Sequence, residues 1–260
     1  LLNRAKKYQE DENTNIYAYK DNGEHKGIVI FKIANNSAAI LDIAVKPEHQ
    51  GRGIGSKLID FIFNSFNVDR ITAETDDDAI GFYKRYGFIV ADTKVEFNTK
   101  RYVCVCESVA HHYDLLIDEN NDPVHDPKPL QDYMDKWDGQ VFIDKMELDK
   151  DKTVLEIGVG TGRLAVRVAP LCGEFYGVDI SKKMLEVAKS ESAHEKIEYV
   201  NMSMTEISTL NETFDFIYSS LAFHFIKDFD AFAKEMYSVL NDGGQLLFSQ
   251  EHPIITATLD

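Results

Sequence analysis

The chain has 260 residues, 44% of them hydrophobic, and a formal net charge of −16. That length accommodates two domains at roughly 100–200 residues each, and no apolar run approaches the roughly 20 residues that span a bilayer. The charge is uneven: residues 1–108 hold 15 Lys/Arg and 16 Asp/Glu, whereas residues 109–260 hold 13 and 28, a balance that repels phosphate backbones and argues against nucleic acid as a partner.

In chain order, the first half reads as a helix over Leu1–Glu10 and strands near Ile16–Lys20, Gly27–Ala34 and Ala38–Val45. The turn signals Asp21-Asn22-Gly23 and Asn35-Asn36 suit antiparallel hairpins. A helix is expected from Gly55 to about Phe66, with Leu58, Ile59, Ile62 and Phe63 on one face. A strand (Arg70–Glu74), a helix (Asp77–Tyr86) and two strands (Phe88–Phe97 and Lys100–Glu107) follow. Cys104 and Cys106 face one side of the last strand and read as small buried hydrophobes; with Cys172 they form an odd, sparse set that fits a reducing cytoplasm. No signal peptide is visible, although the chain starts at Leu1 rather than Met.

The second half opens with a helical piece near Ser108–Leu116, a polar loop over Asp118–Pro129 and an amphipathic segment to about Met146. From Thr153 strands and helices alternate, with strands at Val154–Ile157, Phe175–Val178, Ile197–Asn201, Phe214–Ser219 and Gln245–Ser249. Such alternation predicts a doubly wound parallel sheet. The expected domains are 1–108 and 109–260.

Two glycine-rich turns each close a strand and open a helix. The first is Gln50-Gly51-Arg52-Gly53-Ile54-Gly55. Glycines let backbone amides approach an anion, and the following helix adds the positive end of its dipole, so this turn suits a pyrophosphate. With the strand ending Val45-Lys46-Pro47 and with Gly81-Phe82-Tyr83-Lys84-Arg85-Tyr86-Gly87-Phe88 downstream, residues 1–108 resemble the GNAT family of acetyl-CoA-dependent N-acetyltransferases, whose sheet is mixed and mostly antiparallel. The resemblance implies that residues 50–55 hold the pyrophosphate of CoA. It also implies that the strand ending at Val45, through backbone groups such as those of Ile43 and Val45, pairs with the pantetheine arm. Tyr83 then lies near the CoA sulfur, where a phenol can act as a general acid; the alternative is core packing beside Phe82 and Phe88. Asp42 and Glu74 are the candidate bases, or else solvated surface acids. Asp76–Asp78 read as a helix cap.

The second turn is Glu156-Ile157-Gly158-Val159-Gly160-Thr161-Gly162, followed by a strand ending in Asp179. Here the glycines allow close approach of a nucleoside, and the acid at the next strand end can accept both ribose hydroxyls. With Phe214–His224 and Leu240–Leu246, the second half resembles the class I S-adenosylmethionine-dependent methyltransferases, with a Rossmann-like sheet that looks incomplete at its C-terminal end. The resemblance implies that Gly158, Gly160 and Gly162 line the cofactor and that Glu156 orients the loop or meets the cofactor's amino end. It further implies that Asp179 binds the ribose, that Ile180 and Met184 flank the adenine, and that Ser203 stands where relatives often carry Asp. His224, Glu251 and His252 follow the fourth and fifth strands and are substrate-pocket candidates. Tyr113 and the acidic loop 118–126 form a lid or an ordinary surface loop.

The expectation is therefore a cytoplasmic, bifunctional group-transfer protein using acetyl-CoA and S-adenosylmethionine, with no metal. Its partners are small molecules, amines among them, without nucleic acid or membrane. An open sheet edge invites homo-oligomers. The rival expectations are that one domain is a non-catalytic cofactor sensor, or that the acceptor is a protein.

Overall fold

The computed structural model describes residues 2–9, 11–96, 99–119, 132, 135–136, 138–226 and 228–250. The chain divides into two compact units, Leu1–His111 and His112–Asp260.

The first unit contains α1 (Leu2–Lys6), β1 (Asn15–Asp21), β2 (Glu24–Ala34), β3 (Ser37–Val45), α2 (Ile54–Phe66), β4 (Arg70–Thr75), α3 (Ile80–Tyr86), β5 (Ile89–Glu96) and β6 (Thr99–Glu107). Its strands lie in the order β1-β2-β3-β4-β6-β5. The β3–β4 pair is parallel and the other pairs are antiparallel, as a mixed, mostly antiparallel sheet requires. Asn22, Gly23, Asn35 and Asn36 all adopt positive φ and turn the first two hairpins, which is why these residue types stand there. The run Ile28–Phe31 is wholly buried, so β2 lies inside the sheet. Ile54, Leu58, Ile59 and Ile62 form the buried face of α2 and share a core with Val29, Phe31, Ile40 and Ile71.

Of the register shifts in this sheet, the one between β2 and β3 bears on the cavity. Ile30 faces Asp42 while Phe31 faces Ile40, so Leu41 is an extra residue in β3. Such a bulge bends its strand and raises its twist. Pairing of β3 with β4 runs from Ser37↔Arg70 to Ile40↔Ala73 and ends there. Beyond the bulge the two strands part, and a wedge opens between Asp42–Val45 and Glu74–Thr75.

Two expectations need correction. The first helix ends at Lys6 and gives way to turns rather than running to residue 10. Asp76–Asp78 do not cap α3, whose N-cap is Ala79 without a side-chain bond. Instead Asp77 accepts from the Tyr102 hydroxyl (2.6 Å) and Asp76 pairs with Arg101 (3.5 Å), because β6 brings partners alongside.

The boundary between the units falls within α4 (Val109–Asp118). The second unit continues through α5 (Gln140–Asp144), β7 (Thr153–Ile157), α6 (Ala165–Val168), β8 (Glu174–Asp179), α7 (Lys182–Glu191), β9 (Ile197–Asn201), β10 (Phe214–Ser220), α8 (Phe229–Val239) and β11 (Leu240–Ser249). All the strand pairs are parallel, in the order β11-β10-β7-β8-β9, which is the doubly wound arrangement. Successive residues of the central strand point to opposite faces. Val154 joins a core with Leu164, Val168 and Leu185, and Leu155 joins one with Phe232 and Met236. Helices must therefore cover both faces. β11 begins earlier than expected, with Leu240 beside Phe214, and resumes at Gln245 after a register break. No helix among the described residues is long and apolar enough to cross a membrane.

Gly162 has φ +82°, and a Cβ there would lie 2.5 Å from the Tyr199 hydroxyl and 2.7 Å from the Ser192 Cβ. Gly162→Ala is expected to destabilise the second unit by about 1–3 kcal/mol, read as a lower urea midpoint with unchanged slope.

Candidate functional site

In the first unit, a short turn over Pro47–His49 leads from β3 into the glycine segment. Gln50 donates its side-chain amide to the Val45 carbonyl (3.1 Å) and ties the segment back to the strand. Gly51 and Gly53 take φ +71° and +74°, a conformation that L side chains resist. Gly53 is the N-cap of α2 and supplies no side-chain bond to its first turn. Among the described residues, no acceptor is found for the amides of residues 51–56; the first bond back is from Lys57 to the Gly53 carbonyl (3.0 Å). Gly51, Gly53, Ile54, Gly55 and Ser56 line a cavity of about 950 Å³. A helix start with unpaired donors and a positive dipole end is a donor set for a polyanion, so the residues present fit the pyrophosphate of CoA. Gly55 has a different role: a Cβ there would meet the Phe82 ring at 2.7 Å, so this glycine lets α3 pack against α2. Arg52 is exposed and lies outside the cavity wall.

The same cavity reaches the wedge between β3 and β4. Asp42, Ile43, Val45, Glu74, Thr75 and Tyr83 all line it. Tyr83 is 5% exposed, and its ring meets those of Phe82 and Phe88 edge-on at 5.1 Å each. Burial, with Cys104 and Asp42 nearby, pushes its phenol up to about 12. Core packing and cavity lining are thus both true of Tyr83. The two candidate bases differ. Asp42 lies close enough to Tyr83 to act on its ionisation. Glu74 is paired with Lys94 at 3.0 Å, with half of its side chain exposed at the rim.

The glycine turn of the second unit uses its amides differently. Gly158 and Val159 both donate to the Val178 carbonyl (2.9 and 3.0 Å), Gly160 donates to Asp179 Oδ2 (2.8 Å), and Gly162 donates to the Val159 carbonyl (3.0 Å). The amides of Gly158, Val159, Gly160 and Gly162 are thus all taken, whereas among the described residues no acceptor is found for those of Thr161, Arg163, Leu164 and Ala165. A Cβ on Gly160 would meet nothing within 4 Å, so this glycine fronts open space, while one on Gly158 would strike Ala222 at 2.6 Å. Asp179 Oδ1 accepts from the Ser181 amide (2.8 Å). Burial raises the Asp179 carboxyl and the two backbone donors oppose that rise. Each carboxylate oxygen keeps a further lone pair for a diol. Carboxylates beside an open, phosphate-poor turn fit a cationic nucleoside such as S-adenosylmethionine.

Glu156 is 2% exposed and accepts the hydroxyl of fully buried Tyr218 (2.8 Å). Burial pushes its carboxyl up to about 8. Tyr218 escaped sequence reasoning, and the signal was a phenol two residues after Phe216 on the buried stretch of β10. Ile180 is 39% exposed at the end of β8, and Met184 is buried in the first turn of α7. Ser203 bonds locally to Thr205 (2.9 Å). His224 is exposed beyond β10, its ring centroid 4.1 Å from that of Phe225. Tyr113 meets the other side of this group, 5.9 Å from Phe225. Glu251, His252 and residues 120–126 of the acidic loop lie outside the described residues.

Comparison with known proteins agrees with both halves. Residues 12–90 match the family model of the acetyltransferase (GNAT) domain, and residues 155–248 match that of a methyltransferase domain. An uncharacterized methyltransferase of Anoxybacillus flavithermus is 35% identical over 124 residues, 46% of this chain and 57% of that protein. A ubiquinone/menaquinone biosynthesis C-methyltransferase of Pseudoalteromonas translucida is 31% identical over 168 residues, 60% of this chain and 62% of that protein. Among solved structures, the ribosomal-protein-S18-alanine N-acetyltransferase of Escherichia coli aligns with TM-score 0.36 and 18% identity, over 40% of this chain and 75% of that one. The chain spans about half the length of the curated relatives it matches. It carries a GNAT acetyltransferase domain followed by a methyltransferase domain, which imply acetyl-CoA and S-adenosylmethionine respectively.

Because its carboxyl is raised in the folded state, Glu156 contributes stability that is fully present below about pH 4.5 and is lost as pH rises through about 8. Denaturant titrations of Glu156→Gln at pH 5 and pH 8 are expected to show a smaller fall across that window than the parent chain, by a few kcal/mol.

Proposed function

We propose that the chain is a bifunctional transferase: its first domain acetylates an amine and its second methylates a small molecule. One observation carries the reading. Each domain brings a glycine turn to a strand end, but no described residue accepts from the amides of 51–56 in the first, whereas those of Gly158, Val159 and Gly160 close onto Val178 and Asp179 in the second. An anionic cofactor arm suits the former and a cationic nucleoside suits the latter.

In the first domain, bound acetyl-CoA supplies an acyl thioester. The open amides of residues 51–56 bind its pyrophosphate and orient it along the wedge. Asp42 takes a proton at its carboxylate from the incoming ammonium, so that a neutral amine is presented to the carbonyl. Tyr83 keeps its own proton at Oη throughout the neutral range, because burial opposes the phenolate. That proton is what a departing thiolate requires. Glu74, tied to Lys94, serves the rim.

In the second domain, bound S-adenosylmethionine supplies an electrophilic methyl group. Asp179 accepts the ribose hydroxyls while Gly160 and Ser181 fix its carboxylate. Glu156 and Tyr218 hold β7 and β10 in register beneath the turn. Methyl transfer needs mainly alignment and exclusion of water, and the apolar core beneath these strands serves the second. The matched C-methyltransferases make a carbon nucleophile on a small molecule the first acceptor class to assay.

Calorimetric titration with each cofactor tests both assignments. Gly53→Glu should weaken acetyl-CoA binding by at least about tenfold, through a strained backbone and an added negative charge, and leave S-adenosylmethionine affinity as it was. Asp179→Ala should do the reverse. Unchanged affinities would remove the corresponding assignment. Tyr83→Phe should lower kcat for acetyl transfer by roughly a hundredfold with little change in acetyl-CoA affinity. Equal loss in both would make Tyr83 a packing residue only.

A further inference from the structure

The corner that follows Asp179 has an unusual keeper. Ser181 is completely buried and begins α7 as its N-cap, accepting from the Met184 amide (3.1 Å). Its hydroxyl hydrogen goes to Asp114 Oδ1 at 2.6 Å, and the same oxygen accepts from the Lys183 amide at 3.1 Å. Asp114 is 67 residues away in sequence, on α4. Its carboxylate therefore does two things. It satisfies an otherwise unpaired amide of the first turn of α7, and it fixes the rotamer of Ser181. Ser181 in turn gives its backbone N–H to Asp179 Oδ1 at 2.8 Å.

A further contact gives α4 its course. Tyr113, the neighbour of Asp114, meets Phe225 beyond β10. β8 and β10 flank β7, so their ends stand about 10 Å apart. Tyr113 and Asp114, neighbours on α4, thus touch the segments that follow β10 and β8, the two strands beside β7. Lys183 also pairs through its side chain with Asp118, an exposed contact that reaches neither Ser181 nor Asp179.

We propose that Asp114 is a positioning residue of the methyl-donor site: acting through Ser181, it holds the Asp179 carboxylate in the orientation that accepts the ribose hydroxyls. α4 then belongs to the site as a working part. The proposal rests on reading the second domain as an S-adenosylmethionine binder, and goes beyond it by assigning a remote residue to ribose recognition. A helix that only needed anchoring would have Lys183–Asp118 for the purpose. The Asp114 bond differs because it holds the hydroxyl of Ser181, the residue whose backbone N–H donates to the ribose carboxylate.

The test uses the whole chain and calorimetric binding of S-adenosylhomocysteine and of its 2′-deoxy analogue. Asp114→Ala is expected to weaken S-adenosylhomocysteine by roughly ten- to a hundredfold, the loss when a hydrogen bond to a charged group is removed. It should weaken the 2′-deoxy analogue much less, because that ligand already lacks one of the hydroxyls in question. Asp114→Asn, which keeps an acceptor for Ser181, should recover most of the affinity. Lys183→Met, which removes only the outer anchor of α4, should bind as the parent does. Acetyl-CoA titration and circular dichroism of each variant report whether the fold survives. Should Asp114→Ala unfold the second domain, Ser181→Ala, which removes the hydroxyl that Asp114 holds, is read on the same two ligands. A loss in Lys183→Met equal to that of Asp114→Ala, or of Ser181→Ala in its place, reduces the role to helix docking and overturns the proposal. So does equal weakening of the two ligands in Asp114→Ala, or no weakening of either. A parent chain that binds neither ligand instead overturns the underlying reading of the domain.

Discussion

Where the first few backbone N–H groups of a helix find their acceptors decides what each half of this protein can bind. A strand that turns sharply into a helix leaves several such groups without intrahelical partners. In the first unit no described residue answers them: Gly53 caps α2 without a side chain, and Gly51 and residues 53–56 line the cavity. In the second unit the neighbouring strand answers the amides of the glycine turn itself, Gly158 and Val159 through the Val178 carbonyl and Gly160 through the Asp179 carboxylate. Positive φ at Gly51, Gly53, Gly158 and Gly160 makes both turns feasible. The two turns share glycine-rich composition and differ in electrostatic sign, one an array of donors and the other a frame for carboxylates.

Burial then sets the protonation states that suit each sign. The Tyr83 phenol is raised because its anion would sit among Phe82, Phe88 and Cys104, so it remains a proton donor beside a wedge that a single bulged residue, Leu41, has opened. Glu156 is raised for the same reason, with Tyr218 opposing the rise. A buried carboxyl of this kind lowers the stability of the apo fold at neutral pH, a common feature of sites whose polar groups await a ligand.

Much of the fold was legible in the sequence. Hairpin signals at Asn22-Gly23 and Asn35-Asn36, the apolar face of α2 and the strand–helix alternation after Thr153 each have a local physical cause, and each element stands where its pattern indicates. The misreadings were equally physical. Asp76–Asp78 look like a cap because acids favour helix starts, yet Arg101 and Tyr102 arrive from a strand some 25 residues later and take them. Glu74 and Asp42 are equivalent as letters, and only packing separates a rim carboxylate bound to Lys94 from one whose charge helps to raise a buried phenol. Gly55 and Gly162 also carry a packing role that the sequence does not show, because the space beside them belongs to Phe82, and to Tyr199 and Ser192.

The sequence by itself determined the two sheets, the glycine turns and therefore the classes of cofactor, because these depend on residues close together in the chain and on the φ values that glycine and asparagine permit. The tertiary structure alone decided which amides remain open, which acid helps to raise the Tyr83 phenol, and that Asp114 reaches Ser181. Those outcomes depend on which hydrogen-bond partner arrives from tens of residues away, and a donor is claimed by whichever acceptor the packing brings within about 3 Å.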